Sequence, residues 1–333
     1  MKRRLRQPGL GILVLLLCIG VSCQDETISL VEDWTQLSDF PGAPRASASA
    51  VVLGEKAYVG LGRSQWKSNY LNDFWMYDFN EDRWDTLPSF PSHARVKAVA
   101  CAMDSYIYVG LGFGYTPESA NGSVLFDFYA FDTVKKIWIR RADYPGSAPN
   151  DLSYGVLDGK LFVAGGYTGA SFSKETYCYN PQSNEWIRKA DFPNELGSKA
   201  CFVIGNELYV AGGFRGRNYK TLYCYDGIRD EWSQKCSMPE GRILSTGLSI
   251  QNRGYVLLGR NWGGLENGGG LRSDMIAYDP KTDAWTLCGR FPGGKRQNSV
   301  AFSKGRTGYV LFGENEHQRF GDVWCFKDEA YED

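Results

Sequence analysis

Two sets of charged residues in this chain of 333 amino acids stand at repeated positions and could do chemistry. In the first, Arg45, Arg95, Arg242 and Arg296 each lie thirteen residues before the aromatic of a short apolar segment of the form Y-V-x-L-G or similar. A guanidinium presents a planar fork of donors that matches a carboxylate, so four of them on one surface could bind an anionic ligand. A residue recurring in four copies also fits a part in how each copy is built, and the sequence favours that structural role. The second set follows the glycine that ends the same segments: Arg63 with Trp66, Arg260 with Trp262, and the group Glu314, Asn315, His317 and Arg319. Aromatic faces beside charged hydrogen-bonding groups suit a sugar ring or an acidic peptide better than an apolar ligand. The sequence shows no nucleophile-base arrangement, phosphate loop or metal-ligand cluster, so no cofactor and no metal is expected.

The elements that must position these residues are repeats. The apolar segments end at Gly62, Gly112, Gly166, Gly213, Gly259 and Gly313, spaced by 50, 54, 47, 46 and 54 residues. Trp34, Trp84, Trp138, Trp186, Trp232 and Trp285 form a second series. The steps Phe40-Pro41, Phe90-Pro91, Tyr144-Pro145, Phe192-Pro193, Met238-Pro239 and Phe291-Pro292 form a third. A period near 50 residues with glycine-ended strands marks a propeller of small sheets. Between about Asp33 and Phe326 the chain resembles the kelch family. The resemblance implies an all-β, six-bladed kelch-type β-propeller spanning 33–327, with a tail at 328–333.

Trp34 has no glycine strand before it, and Val323-Trp324-Cys325-Phe326 has no tryptophan strand after it. The last blade is therefore expected to be closed by the N-terminal strand, which leaves no open edge in the ring. With strands A to D numbered from axis to rim, the B–C and D–A loops emerge on one face. Those loops vary most, so that face is the expected working face. In a closed ring blade 6 lies between blades 5 and 1, which gathers Arg63, Trp66, Arg260, Trp262, Glu314 and Arg319 into one sector.

The N-terminus has the pattern of a targeting segment: basic from Lys2 to Arg6, apolar from Leu10 to Val21, then Ser22-Cys23. It resembles the signal of bacterial lipoproteins. That likeness implies a signal peptide at 1–22, lipidation of Cys23, a short tether at 23–32, and a cell-envelope location, as an outer-membrane lipoprotein on its periplasmic or cell-surface side. The membrane would be met only through the lipid. The formal charge is −1, and removing Lys2, Arg3, Arg4 and Arg6 leaves 33 basic against 38 acidic residues, or −5. A mildly acidic body without a dense basic face argues against nucleic acid as a partner. Beyond Cys23 the cysteines number seven and contain no CxxC pair, which suggests free thiols, with Cys178, Cys224 and Cys325 in the core.

Two enzyme families built on this type of propeller bear on activity. Galactose oxidase-like enzymes hold copper with two His and two Tyr, whereas this chain has only His93 and His317, assigned to different repeats. Sialic acid mutarotases are more similar: Thr35 to Arg45 follows their T-x-L-x-x-F-P-G-x-P-R stretch, and Gly313-Glu314, Arg319 and Asp322 look like their Gly-Glu…Arg…Asp motif. That resemblance implies Glu314 as the acid or base that opens a sugar hemiacetal, with Arg260 or Arg63 on the substrate carboxylate. The function expected overall is a lipid-anchored ligand-binding module for a glycan, an acidic sugar or a protein ligand on the B–C/D–A face. The alternative is an N-acetylneuraminate mutarotase or epimerase.

Overall fold

The structure is a computed structural model and describes residues 33–64, 69–263 and 269–328. The glycine-ended segments form strands buried on both faces, such as Lys56–Gly60, Tyr106–Gly110 and Glu207–Ala211, where all but the first residue is buried. Burial on both faces is why they read as unbroken apolar runs rather than as an alternation. The tryptophan segments, such as Glu185–Lys189 and Glu231–Lys235, keep most residues exposed. They are the outermost strands.

Among the described residues the strands assemble into six antiparallel four-stranded sheets, one per repeat. Their innermost strands are Ser49–Leu53, Val99–Met103, Asn150–Leu157, Ala200–Ile204, Thr246–Ile250 and Val300–Lys304. Each packs beside the next, and Val300–Lys304 packs beside Ser49–Leu53, so the six blades close around an axis. The core is divided accordingly. Six hydrophobic clusters each join two neighbouring blades, and one of them sets Val59 and Tyr77 of blade 1 against Phe302 and Leu311 of blade 6.

The last blade closes as expected. The strand Trp34–Gln36 pairs antiparallel with Val323–Lys327, placing Trp34 opposite Phe326 and Gln36 opposite Trp324. The Trp34 ring packs at 4.6 Å from Phe326 and 5.1 Å from Phe291. One boundary moves by a residue. Asp328, expected to begin the tail, is buried and its carboxylate accepts a hydrogen bond from the Tyr255 hydroxyl.

The repeated markers have local causes. The final glycine of each segment has positive φ, from 84° at Gly259 to 113° at Gly213. At Gly166 a Cβ would also lie 2.2 Å from the Ala148 carbonyl oxygen, so only glycine fits that turn. The aromatic or Met before each Pro is buried. Four of the tryptophans tie one blade to the one before: Trp138, Trp186, Trp232 and Trp285 donate their indole N–H to the carbonyls of Pro88, Ala142, Ala190 and Cys236 at 2.8–3.1 Å. Cys178 and Cys224 are buried free thiols, whereas Cys325 is only partly buried.

Candidate functional site

The four repeated arginines are not ligand-facing, which corrects their candidacy as an anion site. Arg45 and Arg95 are fully buried, Arg296 is 1% exposed and Arg242 2%. Each is held by an aspartate that directly precedes or begins the C strand of its own blade. Arg45 makes two bonds of 2.7 Å to Asp73, and Arg95 bonds Asp127 at 2.8 and 2.9 Å. Arg296 bonds Asp322 at 2.6 and 3.0 Å, and Arg242 bonds Asp274 at 2.6 Å. Arg45, Arg95 and Arg296 also donate to the carbonyl that ends the B strand, at 3.0–3.1 Å, and lie over the rings of Phe40, Phe90 and Phe291. The guanidinium fork is thus spent on tying the D–A loop to the B–C loop within one blade. Asp322, matched above to a mutarotase motif, has the same job and also accepts the Trp324 indole N–H at 2.8 Å.

The second set divides. Arg63, Glu314 and Arg319 come together across the closure of the ring, although Arg63 and Glu314 are 251 residues apart in the chain. Glu314 is 6% exposed and follows the B strand Thr307–Leu311 by a tight turn through Gly313. Its carboxylate pairs with the Arg63 guanidinium, accepts Arg319 Nε at 3.1 Å and accepts Asn298 Nδ2 at 2.8 Å. Arg319 also reaches blade 1, donating to the Ser64 carbonyl at 2.6 Å. Two guanidiniums against one carboxylate leave the cluster with one net positive charge. Arg63 is its accessible member, with 34% of its side chain exposed, and its Nε has no protein partner among the described residues.

Arg260 and Trp262 pair instead with each other, the guanidinium lying 5.3 Å from the indole centroid, and Trp262 is 51% exposed. Trp66 lies outside the described residues, as does Cys23 with the rest of the expected signal and tether.

Three neighbours of the cluster escaped the sequence reading. Asn298 is the residue that orients Glu314 from the D–A loop. Tyr70 forms a backbone bridge with Arg63, and its ring lies 4.9 Å from that of the exposed Tyr115. Burial, then the nearby Tyr115, raise the Tyr70 hydroxyl above the ordinary tyrosine value. Tyr115 sits on a hairpin, Phe113–Thr116 with Ser119–Val124. No repeat marker singles out any of the three.

Comparison with known proteins agrees with this architecture. Residues 44–91 match the Kelch motif, and residues 113–259 match the KLHDC2/KLHL20/DRC7 Kelch-repeats domain. The chain belongs to the kelch-repeat family. Among curated relatives of this kelch propeller, Kelch-like protein 26 of Danio rerio is 31% identical over 167 residues, covering 49% of this chain and 27% of the relative. Kelch-like protein 25 of Xenopus tropicalis is 27% identical over 255 residues, covering 74% of this chain and 41% of the relative. The chain thus spans less than half the length of either relative. The solved structure of YjhT superposes with a TM-score of 0.77, covering 86% of this chain and 95% of that one, at 16% identity. At that identity the likeness is one of fold.

Proposed function

We propose that this kelch propeller is a ligand-binding module, displayed at the cell envelope by a lipidated Cys23, whose B–C/D–A loop face takes a glycan or an acidic partner. The observation that carries the reading is the Arg63–Glu314–Arg319 cluster, which has one net positive charge and presents the partly exposed Arg63 guanidinium on that face. Tyr70 pairs with Arg63 through the backbone and its ring lies 4.9 Å from that of Tyr115, so a ligand with a carboxylate on a ring could stack and pair at once.

Calorimetric titration with an acidic sugar, N-acetylneuraminate as the first probe, and with neutral lactose as control tests this. Arg63→Ala should weaken binding of the acidic sugar by about 1–3 kcal/mol, roughly five- to a hundred-fold. Equal binding of both sugars, or undiminished binding by an Arg63→Ala protein that melts like wild type, overturns it. Anchoring is tested separately: Cys23→Ala should release the protein into the soluble fraction, and unchanged membrane association and intact mass would sink the idea.

A second reading is an N-acetylneuraminate mutarotase. What favours it is a buried carboxylate, Glu314, set at a strand end on the loop face beside a guanidinium that could hold the substrate's own carboxylate. To act as acid or base, Glu314 must exchange one of its three present donors for the sugar hydroxyl. NMR exchange spectroscopy of the anomers decides: an enzyme accelerates exchange and loses most of that rate in Glu314→Gln, whereas a binding module accelerates nothing.

A further inference from the structure

The six D–A loops meet around the axis. Two residues beyond each arginine position stand Ser47, Lys97, Asp151, Ser198, Leu244 and Asn298, all with φ between 53° and 61°. Four of the six joins between neighbouring blades are backbone hydrogen bonds within this ring: Ser47 N to Asn298 O at 2.9 Å, Lys97 N to Ser47 O at 3.1 Å, Leu244 N to Ser198 O at 3.1 Å, and Asn298 N to Leu244 O at 3.0 Å. At blade 3 a side chain takes over. The Asp151 carboxylate accepts from Lys97 Nζ at 2.7 Å on one side and from the Ser198 N–H on the other.

Against this ring lies a cavity of about 260 Å³ lined by residues of all six blades. Its ionic lining is unbalanced: Lys97 and Lys199 stand against Asp151 alone, and both oxygens of Asp151 are already engaged. Among the described residues Lys199 Nζ has only carbonyl acceptors, Leu196 O at 2.6 Å and Asp151 O at 3.5 Å, and lies 6.0 Å from the Phe192 ring. Ser245, also in the lining, has a buried hydroxyl oxygen with no protein partner among the described residues. The remaining wall includes Ala50, Ala200, Val300 and Ala301. A net positive charge beside a partly apolar wall favours an anion with a small hydrocarbon body. The volume lies below the range of about 300–1,000 Å³ usual for drug-sized ligands, which limits the occupant to a small acid.

We propose that the axial cavity is a second binding site, for a small organic carboxylate, at its Lys97–Asp151–Lys199 side. The site stands whether or not the Arg63–Glu314–Arg319 cluster binds anything, since the two share only Asn298 as a neighbour. Burial depresses the Lys199 ammonium to about 8, against the attraction of Asp151 and with Lys97 and Cys201 as the other ionisable neighbours. An anion bound there restores that charge, so binding near pH 8 should take up protons.

Acetate is the probe, acetamide its neutral isostere, and inorganic phosphate the competing anion. In the wild-type protein acetate should shift the amide resonances of Ser198, Ser245 and Thr246 in a saturable way, acetamide should not, and the affinity should fall between pH 7 and pH 9.5. Lys199→Met should weaken acetate binding by about tenfold or more. Equal shifts with acetamide, phosphate binding in place of acetate, or acetate affinity unaltered in a folded Lys199→Met protein each overturn the proposal. The wild-type resonance shifts decide alone should Lys199→Met fail to fold.

Discussion

The arginine–aspartate ties can be tested in blade 2, where Arg95 is fully buried and bonded to both oxygens of Asp127, to Ser92 Oγ at 3.0 Å and to the carbonyls of His93 and Leu111 at 2.9 and 3.1 Å. Asp127→Asn leaves the guanidinium buried without its counter-charge, and breaking such a pair from one side costs about 3–5 kcal/mol. In blade 4 Leu196 stands at the arginine position and Thr221 at the aspartate position, and the Lys199 ammonium donates to the Leu196 carbonyl at 2.6 Å and lies 6.0 Å from the Phe192 ring. Installing that pair in blade 2, Arg95→Leu with Asp127→Thr, removes both charges together and leaves two carbonyls short of a donor. At about 1 kcal/mol each the double change should cost about 2 kcal/mol, less than the single one. Urea unfolding followed by tryptophan fluorescence measures both.

The pH dependence gives an independent check on the same tie. Burial opposes the Asp127 carboxylate, but Arg95 and Ser92 outweigh it and hold the group below its ordinary value of 3.8. A depressed acid contributes stability that is present above the unfolded value and lost as pH falls through the native one. The gap between wild type and Asp127→Asn should therefore be full at neutral pH and shrink below about pH 4. A single change within about 0.5 kcal/mol of wild type, or a double change as costly as the single, would refute the account of the buried pair.

Two further outcomes follow from the ring. Removing residues 33–37 deletes the outer strand of blade 6 and should lower the melting temperature far more than removing 329–333, which follow the last described residue; equal losses would show the closure to be unimportant. Asp151→Asn weakens the two joins that its carboxylate makes in the axial ring, to Lys97 and to the Ser198 N–H, so it should destabilise the protein at neutral pH and less as pH falls below the ordinary aspartate value of 3.8, because Lys97, Lys199 and the Ser198 N–H overcome burial to hold Asp151 below that value. A difference that does not change with pH would remove Asp151 from that role.

The ring was legible in the sequence because its markers answer to local rules: glycine where φ is positive, tryptophan on the rim strand, an aromatic wedged before proline. The arginines were legible as a series but not in their role, since the partner aspartate is 26 to 32 residues away and only folding brings the two together. One signal was available. Arginine and aspartate occur jointly in blades 1, 2, 5 and 6 and are jointly replaced by Pro149 with Glu175 and by Leu196 with Thr221 in the other two. Lys97, Asp151 and Lys199 gave none, because each is alone of its type at its D–A loop position among the six repeats. What joins them is the axis itself.

The strand that closes the ring also fixes how the disc can be held. Trp34–Gln36 runs toward the D–A loops, so Asp33 stands at the opposite face, and Val323–Lys327 ends on that same face, where the Asp328 N–H meets the Arg306 carbonyl of an A–B turn. Both ends of the described chain therefore leave from the back of the disc. A lipid, a surface or another domain held close to either of these ends would meet the propeller from behind, with the Arg63–Glu314–Arg319 cluster and the axial opening on the far face.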